Sequence, residues 1–204
     1  MAADSPVKKR AIATVLGIDY SRDASRYGAF PALKNAALAL DNIVRECYPH
    51  DALHVVQYSA YAREIWREQL ANLNWHERVP GTNLHAALLL AQAILRECPT
   101  RGRRIILLSG SEPTAHFERG RSYFAYPPSP VTVRETIRAA QWCAANGTEL
   151  TAFWVGHGSF KYAKDFYDRF AAEAGVKVIR PSLEPLSNAV MEAYERGRGS
   201  GGAA

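Results

Sequence analysis

Apolar and polar positions along the chain fall into blocks that predict strands and helices in turn. Residues 11–19 are a nearly continuous apolar run that ends in Asp19, which is typical of a strand buried on both faces of a parallel sheet. Residues 31–47 then repeat apolar side chains at helical spacing. Later blocks keep this order, and they predict strands at residues 52–59, 62–66, 104–108, 149–155 and 176–180 and helices at residues 83–98, 132–146, 160–174 and 183–196.

This order predicts the α/β class, with a doubly wound, mostly parallel sheet and helices on both of its faces. Residues 62–66 follow the second strand so closely that the two form a hairpin, which adds one short antiparallel edge strand. We expect a single domain over residues 11–196, with a polar lead-in at residues 1–10 and a flexible glycine-rich tail at residues 197–204.

Capping residues set the expected helix boundaries. Thr82 or Asn83 caps the helix at residues 83–98. Thr132 is the expected cap of the helix at residues 132–146, because Glu135 stands at the capping-box position. The preceding residues 112–131 are rich in aromatic side chains and prolines, and they predict a long irregular loop.

Composition narrows the classes of function. With 48% hydrophobic and 22% charged residues, the chain has the balance of a globular protein. Its formal charge of +5 comes from basic residues spread along the chain, so we expect no nucleic-acid partner. Without a signal peptide or an apolar run that could span a bilayer, we expect no membrane partner and a cytoplasmic location. The three cysteines are far apart and odd in number, which predicts buried free thiols.

Three turns contain the residues that could bind a ligand. Two of them follow predicted strands, and one begins a predicted helix. They read GIDYSRDAS at residues 17–25, PGTNLHAAL at residues 80–88 and LLSGSEPTAH at residues 107–116. Ligands of doubly wound sheets bind at the carboxyl ends of the strands, so these turns are expected to meet. Together they resemble the von Willebrand factor A (VWA) domain over about residues 12–194, especially bacterial VWA domains of the magnesium-chelatase-like type.

The resemblance implies a metal-ion-dependent adhesion site, in which D-x-S-x-S, G-T-x-L and T-D-G turns hold a divalent cation through oxygen atoms. Asp19 and Ser21 match the first turn, and Thr82 matches the second. Two positions depart from the pattern: Asp23 replaces the second serine, and Gly110 replaces the second aspartate.

Two interpretations of this site follow. In one, Asp19, Ser21, Asp23 and Thr82 hold Mg²⁺ or Mn²⁺, with Glu112 or water completing the shell. In the other, no cation is bound tightly, and Asp19 accepts hydrogen bonds from Ser21 or Thr82. We favour the second interpretation, because Mg²⁺ requires near-octahedral geometry and a ligand is missing.

The resemblance further implies a non-enzymatic adaptor that recognises a protein at this edge of the sheet. Its partner would be a MoxR-like or chelatase-type AAA+ ATPase, or a larger assembly. The expected rim of the site consists of Arg22, Gly110, Ser111, Glu112, Tyr123, Phe124 and Tyr126.

Two other functions stay open at this point. The domain could be a metal-independent scaffold or oligomerisation domain that uses other surfaces. A hydrolase built on Ser111 with His116 or His157 is disfavoured, because no G-x-S-x-G elbow occurs and Pro113 closely follows the serine.

Overall fold

A computed structural model describes residues 11–26, 28–74, 80–156, 161–181 and 185–199. The strands within these ranges are β1 (Ile12–Asp19), β2 (Ala52–Tyr58), β3 (Ala62–Ile65), β4 (Gly102–Ser109), β5 (Ala115–Glu118), β6 (Arg121–Phe124), β7 (Thr148–Trp154) and β8 (Lys177–Ile179). The helices are α1 (Arg22–Arg26), α2 (Ala29–Cys47), α3 (Arg67–Leu70), α4 (Leu84–Glu97), α5 (Pro130–Ala145), α6 (Lys161–Ala174) and α7 (Leu186–Gly199).

The main sheet has six strands in the order β3-β2-β1-β4-β7-β8. Strand β3 is antiparallel to β2, with Val55 opposite Ile65, and the other neighbouring pairs are parallel. The predicted α/β fold with one antiparallel edge strand is confirmed. Strands β1 and β4 are central neighbours, so the turns after Asp19 and Ser109 lie side by side at the carboxyl edge.

Helices cover both faces of the sheet, as the alternating pattern predicts. One apolar core joins the sheet to α4, α5 and α6 through buried side chains that include Leu88, Ile137 and Phe170. The other joins the opposite face to α2 and α7 through residues such as Leu40 and Val190. The central strand β1 is buried along its whole length, which explains its continuous apolar sequence.

The region between β4 and α5 differs from its prediction. Residues 112–131 are not an irregular loop throughout, since β5 and β6 pair there as an antiparallel hairpin. Arg119 and Gly120 occupy its turn with φ angles of 47° and 80°, a conformation that suits the right-handed twist of a two-residue hairpin. The hairpin forms a second, two-stranded sheet beside the carboxyl edge of the main sheet.

Helix ends were predicted with mixed success. Asn83 caps α4, and its side chain accepts a hydrogen bond from the Ala86 amide at 2.9 Å. The predicted cap at Thr132 is wrong: Ser129 caps α5 and accepts from the Thr132 amide at 3.1 Å. Pro130 occupies the first helical position, where its missing N–H costs nothing, so α5 begins earlier than predicted.

The last helix and the three cysteines differ in part from their predictions. Helix α7 continues to Gly199, past the predicted helix end at residue 196, while residues 1–10 and 200–204 lie outside the described ranges. Cys98 and Cys143 are buried free thiols as predicted, but Cys47 is exposed because it ends α2 on the solvent side. Among the described helices, none has the length and apolar character needed to cross a membrane.

Candidate functional site

The three turns meet at the carboxyl edge of the sheet. Ile18 and Leu108 are register partners, so Asp19 and Ser109 end adjacent strands. Thr82 immediately precedes the Asn83 cap of α4, and its amide donates to Thr114 Oγ1 at 2.9 Å. The Thr114 amide donates back to the Thr82 carbonyl at 3.0 Å, which ties the second turn to the third.

Asp19 is the centre of this arrangement and is completely buried. Its Oδ1 accepts a hydrogen bond from the Ser21 amide at 2.9 Å. Its Oδ2 accepts from the Gly110 amide at 3.0 Å and lies 3.3 Å from Ser109 Oγ. Burial raises the pKa of Asp19, and the hydrogen bonds from Ser21, Gly110 and Ser109 offset part of that rise. The carboxylate therefore joins β1 to β4 through donors that the chain itself supplies.

The hydroxyl groups expected to bind a cation are also bonded within the protein. Ser21 Oγ accepts from the Ala24 amide at 3.3 Å, which caps the short helix α1. Thr82 Oγ1 pairs with Ser111 Oγ at 2.8 Å. Thus Ser21 donates to Asp19 through its amide, as the second interpretation expects, whereas Thr82 bonds to Ser111 instead.

Gly110 lies against helix α1 and has little room for a side chain. A Cβ atom at this position would lie 3.0 Å from Ala24 Cα, 3.1 Å from Ala24 Cβ and 3.2 Å from Ala29 Cβ. Contacts this short would require Ala24 or Ala29 to shift by a few tenths of an ångström. The space beside Gly110 is therefore filled by α1 and by the start of α2.

The donor set fits a magnesium ion poorly in this arrangement. Both oxygens of Asp19 already accept hydrogen bonds, and the Ser21 and Thr82 hydroxyl groups have partners within the chain. An aspartate at position 110 would crowd Ala24, whose Cα lies 3.0 Å from the Cβ position. Across the described ranges, no three histidine, cysteine or acidic side chains come together in a way that could hold a metal.

Two further acidic residues lie near Asp19. Asp23 is half-buried in the first turn of α1, next to the exposed Arg22. Glu112 is only 3% exposed, and burial raises its pKa, with Asp23 and Asp19 adding to that rise. The site thus combines one fully buried carboxylate, Asp19, with two further acidic residues in the adjoining turns.

The predicted aromatic rim is carried by the β5–β6 hairpin and the residues after it. Tyr123, Phe124 and Tyr126 are 45%, 53% and 60% exposed. Tyr123 stacks on His116 with ring centroids 5.5 Å apart. Tyr126 makes an edge contact with Tyr162, which adds an α6 residue to the surface. We call Tyr123, Phe124, Tyr126 and Tyr162 the aromatic rim.

Buried polar contacts hold the hairpin on α4 and α5. The Phe117 amide donates to His85 Nδ1 at 3.1 Å, and His116 Nδ1 lies 3.0 Å from Thr132 Oγ1. The Asn83 side chain donates to Ser122 Oγ at 3.3 Å. The sequence reasoning assigned no role to His85, although an E-R-G-R turn between β-forming residues could have indicated the hairpin.

Three more residues were missed, and for Tyr167 and Tyr58 the reason is that their partners are 56 and 50 residues away in sequence. Ser109 Oγ bonds to the Ser111 carbonyl at 3.0 Å, and Tyr167 on α6 donates to the same carbonyl at 3.1 Å. Tyr58 donates to the Leu108 carbonyl at 3.0 Å. These contacts hold the β4 turn rigidly beside β1 and β2.

The hydrolase alternative gains no support from these contacts. Ser111 Oγ is paired with Thr82, and His116 is paired with Thr132. His157 lies outside the described residues.

The family follows from comparison with known proteins. A model of the family described as "Rv0959-like protein, vWA domain" matches residues 12–195. This chain belongs to the Rv0959-like VWA family. The uncharacterized protein Rv0959 of Mycobacterium tuberculosis (strain ATCC 25618 / H37Rv) is 33% identical over 192 residues, which cover 91% of this chain and 28% of the relative. The chain thus spans just over a quarter of the length of that relative.

Solved structures show the same VWA fold at low sequence identity. The pilus adhesin SpaC from Lactobacillus rhamnosus GG is 12% identical, with a TM-score of 0.71 over 96% of this chain and 31% of the adhesin. The vWF domain of the type V pili tip protein Mfa5 from Porphyromonas gingivalis is 13% identical, with a TM-score of 0.68 over 96% of this chain and 98% of that domain.

Proposed function

We propose that this VWA domain is a non-enzymatic, cytoplasmic adaptor that recognises a protein partner at the carboxyl edge of its sheet without a tightly bound cation. The aromatic rim is the observation that carries the proposal. Tyr126 and Phe124 expose more than half of their surface, and exposed aromatic side chains are the commonest anchors of protein interfaces.

The hydrogen bonds that hold the β5–β6 hairpin favour recognition with little rearrangement of the backbone. Hydrogen bonds to the Asn83 cap of α4, to α4 and to α5 fix the hairpin, so the backbone that carries Tyr123 and Phe124 is in place before a partner binds. Preorganisation lowers the entropic cost of association. The absence of a tightly bound cation is supported by the internal bonding of Asp19 and by the lack of space at Gly110.

The partner class that we propose is a MoxR-like or chelatase-type AAA+ ATPase, or an assembly that contains one. This choice rests on the resemblance to magnesium-chelatase-like VWA domains. The protein relatives are more than three times longer than the matched segment, so further domains of such proteins could contribute to the same assembly.

The test is binding of this chain to a purified MoxR-like or chelatase-type ATPase from the same organism. The double variant Phe124→Ala, Tyr126→Ala should lose about tenfold or more in affinity, since two interface anchors are truncated. Trp66→Ala is the matched control: this side chain is 77% exposed but follows the antiparallel strand β3, on the amino side of the sheet.

Repeating the measurement with a chelator should leave the affinity unchanged. If Trp66→Ala weakens binding and the rim variant does not, the domain is a scaffold that uses another surface. Loss of binding in chelator would instead favour a metal-bridged contact.

A further inference from the structure

The carboxyl edge of this VWA domain carries negative charge that the described residues leave unpaired. Ala24, the neighbour of Asp23, packs against Gly110, two residues before Glu112, and the Gly110 amide donates to Asp19, so the three carboxylates belong to adjoining turns. Within the described ranges, no lysine or arginine forms an ion pair with any of these three carboxylates. The chain instead uses its basic residues elsewhere, as in the pair between Arg104 and Glu149.

Glu112 is the residue that distinguishes this arrangement from an ordinary acidic surface. Glu112 is 3% exposed, and in the described part of the chain no other residue donates a hydrogen bond to its carboxylate. A carboxylate removed from water without an opposite charge is costly. The half-buried Asp23 carries the same charge, so it repels the Glu112 carboxylate instead of stabilising it.

An exposed aromatic side chain lies on the same edge. A Cβ atom at Gly81 would lie 3.1 Å from Phe124 Cδ2, so the ring of Phe124 covers the turn that leads into Thr82. Thr82 bonds in turn to Ser111, the neighbour of Glu112 in sequence. Phe124 is the register partner of Ala115, and the Ala125 amide donates to the Thr114 carbonyl at 2.9 Å, so the segment that carries the aromatic residues runs beside the residues that follow Glu112.

We propose that the partner presents an arginine side chain to this edge, with its guanidinium at Glu112 and Asp23 and its flat face or stem against Phe124 or Tyr126. This inference rests on the proposed function and names the chemistry of its partner. Arginine fits better than lysine, because its planar group binds carboxylates through two hydrogen bonds and stacks on aromatic rings. The polarity is the reverse of a metal-bridged site, where the partner supplies a carboxylate.

The probe is a capped peptide, acetyl-Gly-Arg-Gly-amide, titrated into the ¹⁵N-labelled chain in metal-free buffer and followed by ¹H–¹⁵N spectra. Amides of residues 20–24 and 110–126 should shift with saturation. The same peptide with citrulline, which keeps the shape but loses the charge, should bind at least about tenfold more weakly. A glutamate peptide should cause no saturable shift in these residues.

Variants of the chain complete the test. Asp23→Asn with Glu112→Gln should weaken the arginine peptide about tenfold, while Glu97→Gln, an exposed residue at the far end of α4, should leave it unchanged. Asp23→Asn alone, at a half-buried position, should give a smaller loss and serves if the double variant does not fold. Equal binding of arginine and citrulline peptides, or unchanged binding in the variants, would overturn the inference.

Failure here is distinguishable from failure of the proposed function. If the ATPase still depends on Phe124 and Tyr126 but the arginine peptide does not bind at Glu112, the interaction surface stands and its arginine specificity is wrong. If neither the ATPase nor the peptide depends on this edge, both proposals are wrong.

Discussion

The polar cluster around Asp19 and the aromatic rim share one edge of the sheet but differ in how they meet water. In the cluster, the carboxylate oxygens of Asp19 and the Ser21 and Thr82 hydroxyl groups are buried and hydrogen-bonded to the chain itself. In the rim, Tyr126 remains 60% exposed. In this chain the residues that match a ligand-binding motif make hydrogen bonds to one another and to neighbouring strands, whereas residues outside the motif offer the open surface.

The reason lies in the cost of burying polar atoms. A buried carboxylate or hydroxyl group needs hydrogen-bond partners, and in this chain neighbouring strands and α1 supply them. Aromatic rings make no such demand, so the rim can remain partly exposed at a modest cost. Substitutions in the two regions should therefore separate stability from recognition.

The largest effect is expected for Asp19→Ala. Removal of the carboxylate leaves the buried Ser21 and Gly110 amides without an acceptor, which should lower the free energy of unfolding by about 3 kcal/mol. Urea denaturation measures this change. Asp23→Ala, half-buried in α1, is the control and should change stability by no more than about 0.5 kcal/mol. Equal effects of the two substitutions would show that Asp19 has no special structural role.

Gly110→Asp tests whether restoring the missing acid restores a metal site. We expect a loss of about 2 kcal/mol in the free energy of unfolding, because the new side chain would press on Ala24 and Ala29. Calorimetric titration with MgCl₂ and MnCl₂ should show no sub-millimolar binding in the wild type or the variant. Gly110→Ser is the companion, and its smaller side chain should cost less. Tight, saturable Mg²⁺ binding to Gly110→Asp would contradict the crowding of this position by α1.

The smallest effect on the free energy of unfolding is expected at His85, which contacts the β5–β6 hairpin, and this effect depends on pH. The Phe117 amide donates to His85 Nδ1, so that nitrogen must be unprotonated. Burial lowers the pKa of His85; Glu135 opposes this shift and His116 adds to it. As pH falls below the ordinary histidine value of about 6.5, the unfolded chain binds a proton before the folded chain does. Stability should therefore fall over that range.

Urea unfolding between pH 7.5 and pH 5 measures this dependence. His85→Gln should remove the part of this pH dependence that comes from His85. We expect that part to be under about 1 kcal/mol, because His85 makes one neutral hydrogen bond. His50→Gln, at an exposed histidine before β2, is the matched control. If His85→Gln keeps the full wild-type slope, His85 does not link the rim to pH.

Local sequence patterns predicted most of the fold because helices and buried strands have distinct periodicities. The continuous apolar run before Asp19 and the Asn83 cap illustrate this. The β5–β6 hairpin was missed because proline and aromatic residues after it dominated the pattern, although its Arg119–Gly120 turn was present. The cap at Thr132 was misplaced because two hydroxyl residues compete there, and Pro130 decides in favour of Ser129.

The sequence by itself determined the order of strands and helices, the three turns that meet at one edge, and the departures at Asp23 and Gly110. Only the tertiary structure decided that Ala24 fills the space beside Gly110 and that Ser109 and Gly110 bond to Asp19. Gly110 and Asp19 lie 91 residues apart in sequence, and they meet because β1 pairs with β4. Periodicity reports which face of an element is buried, whereas the neighbour of a side chain across the fold is decided by register and close packing.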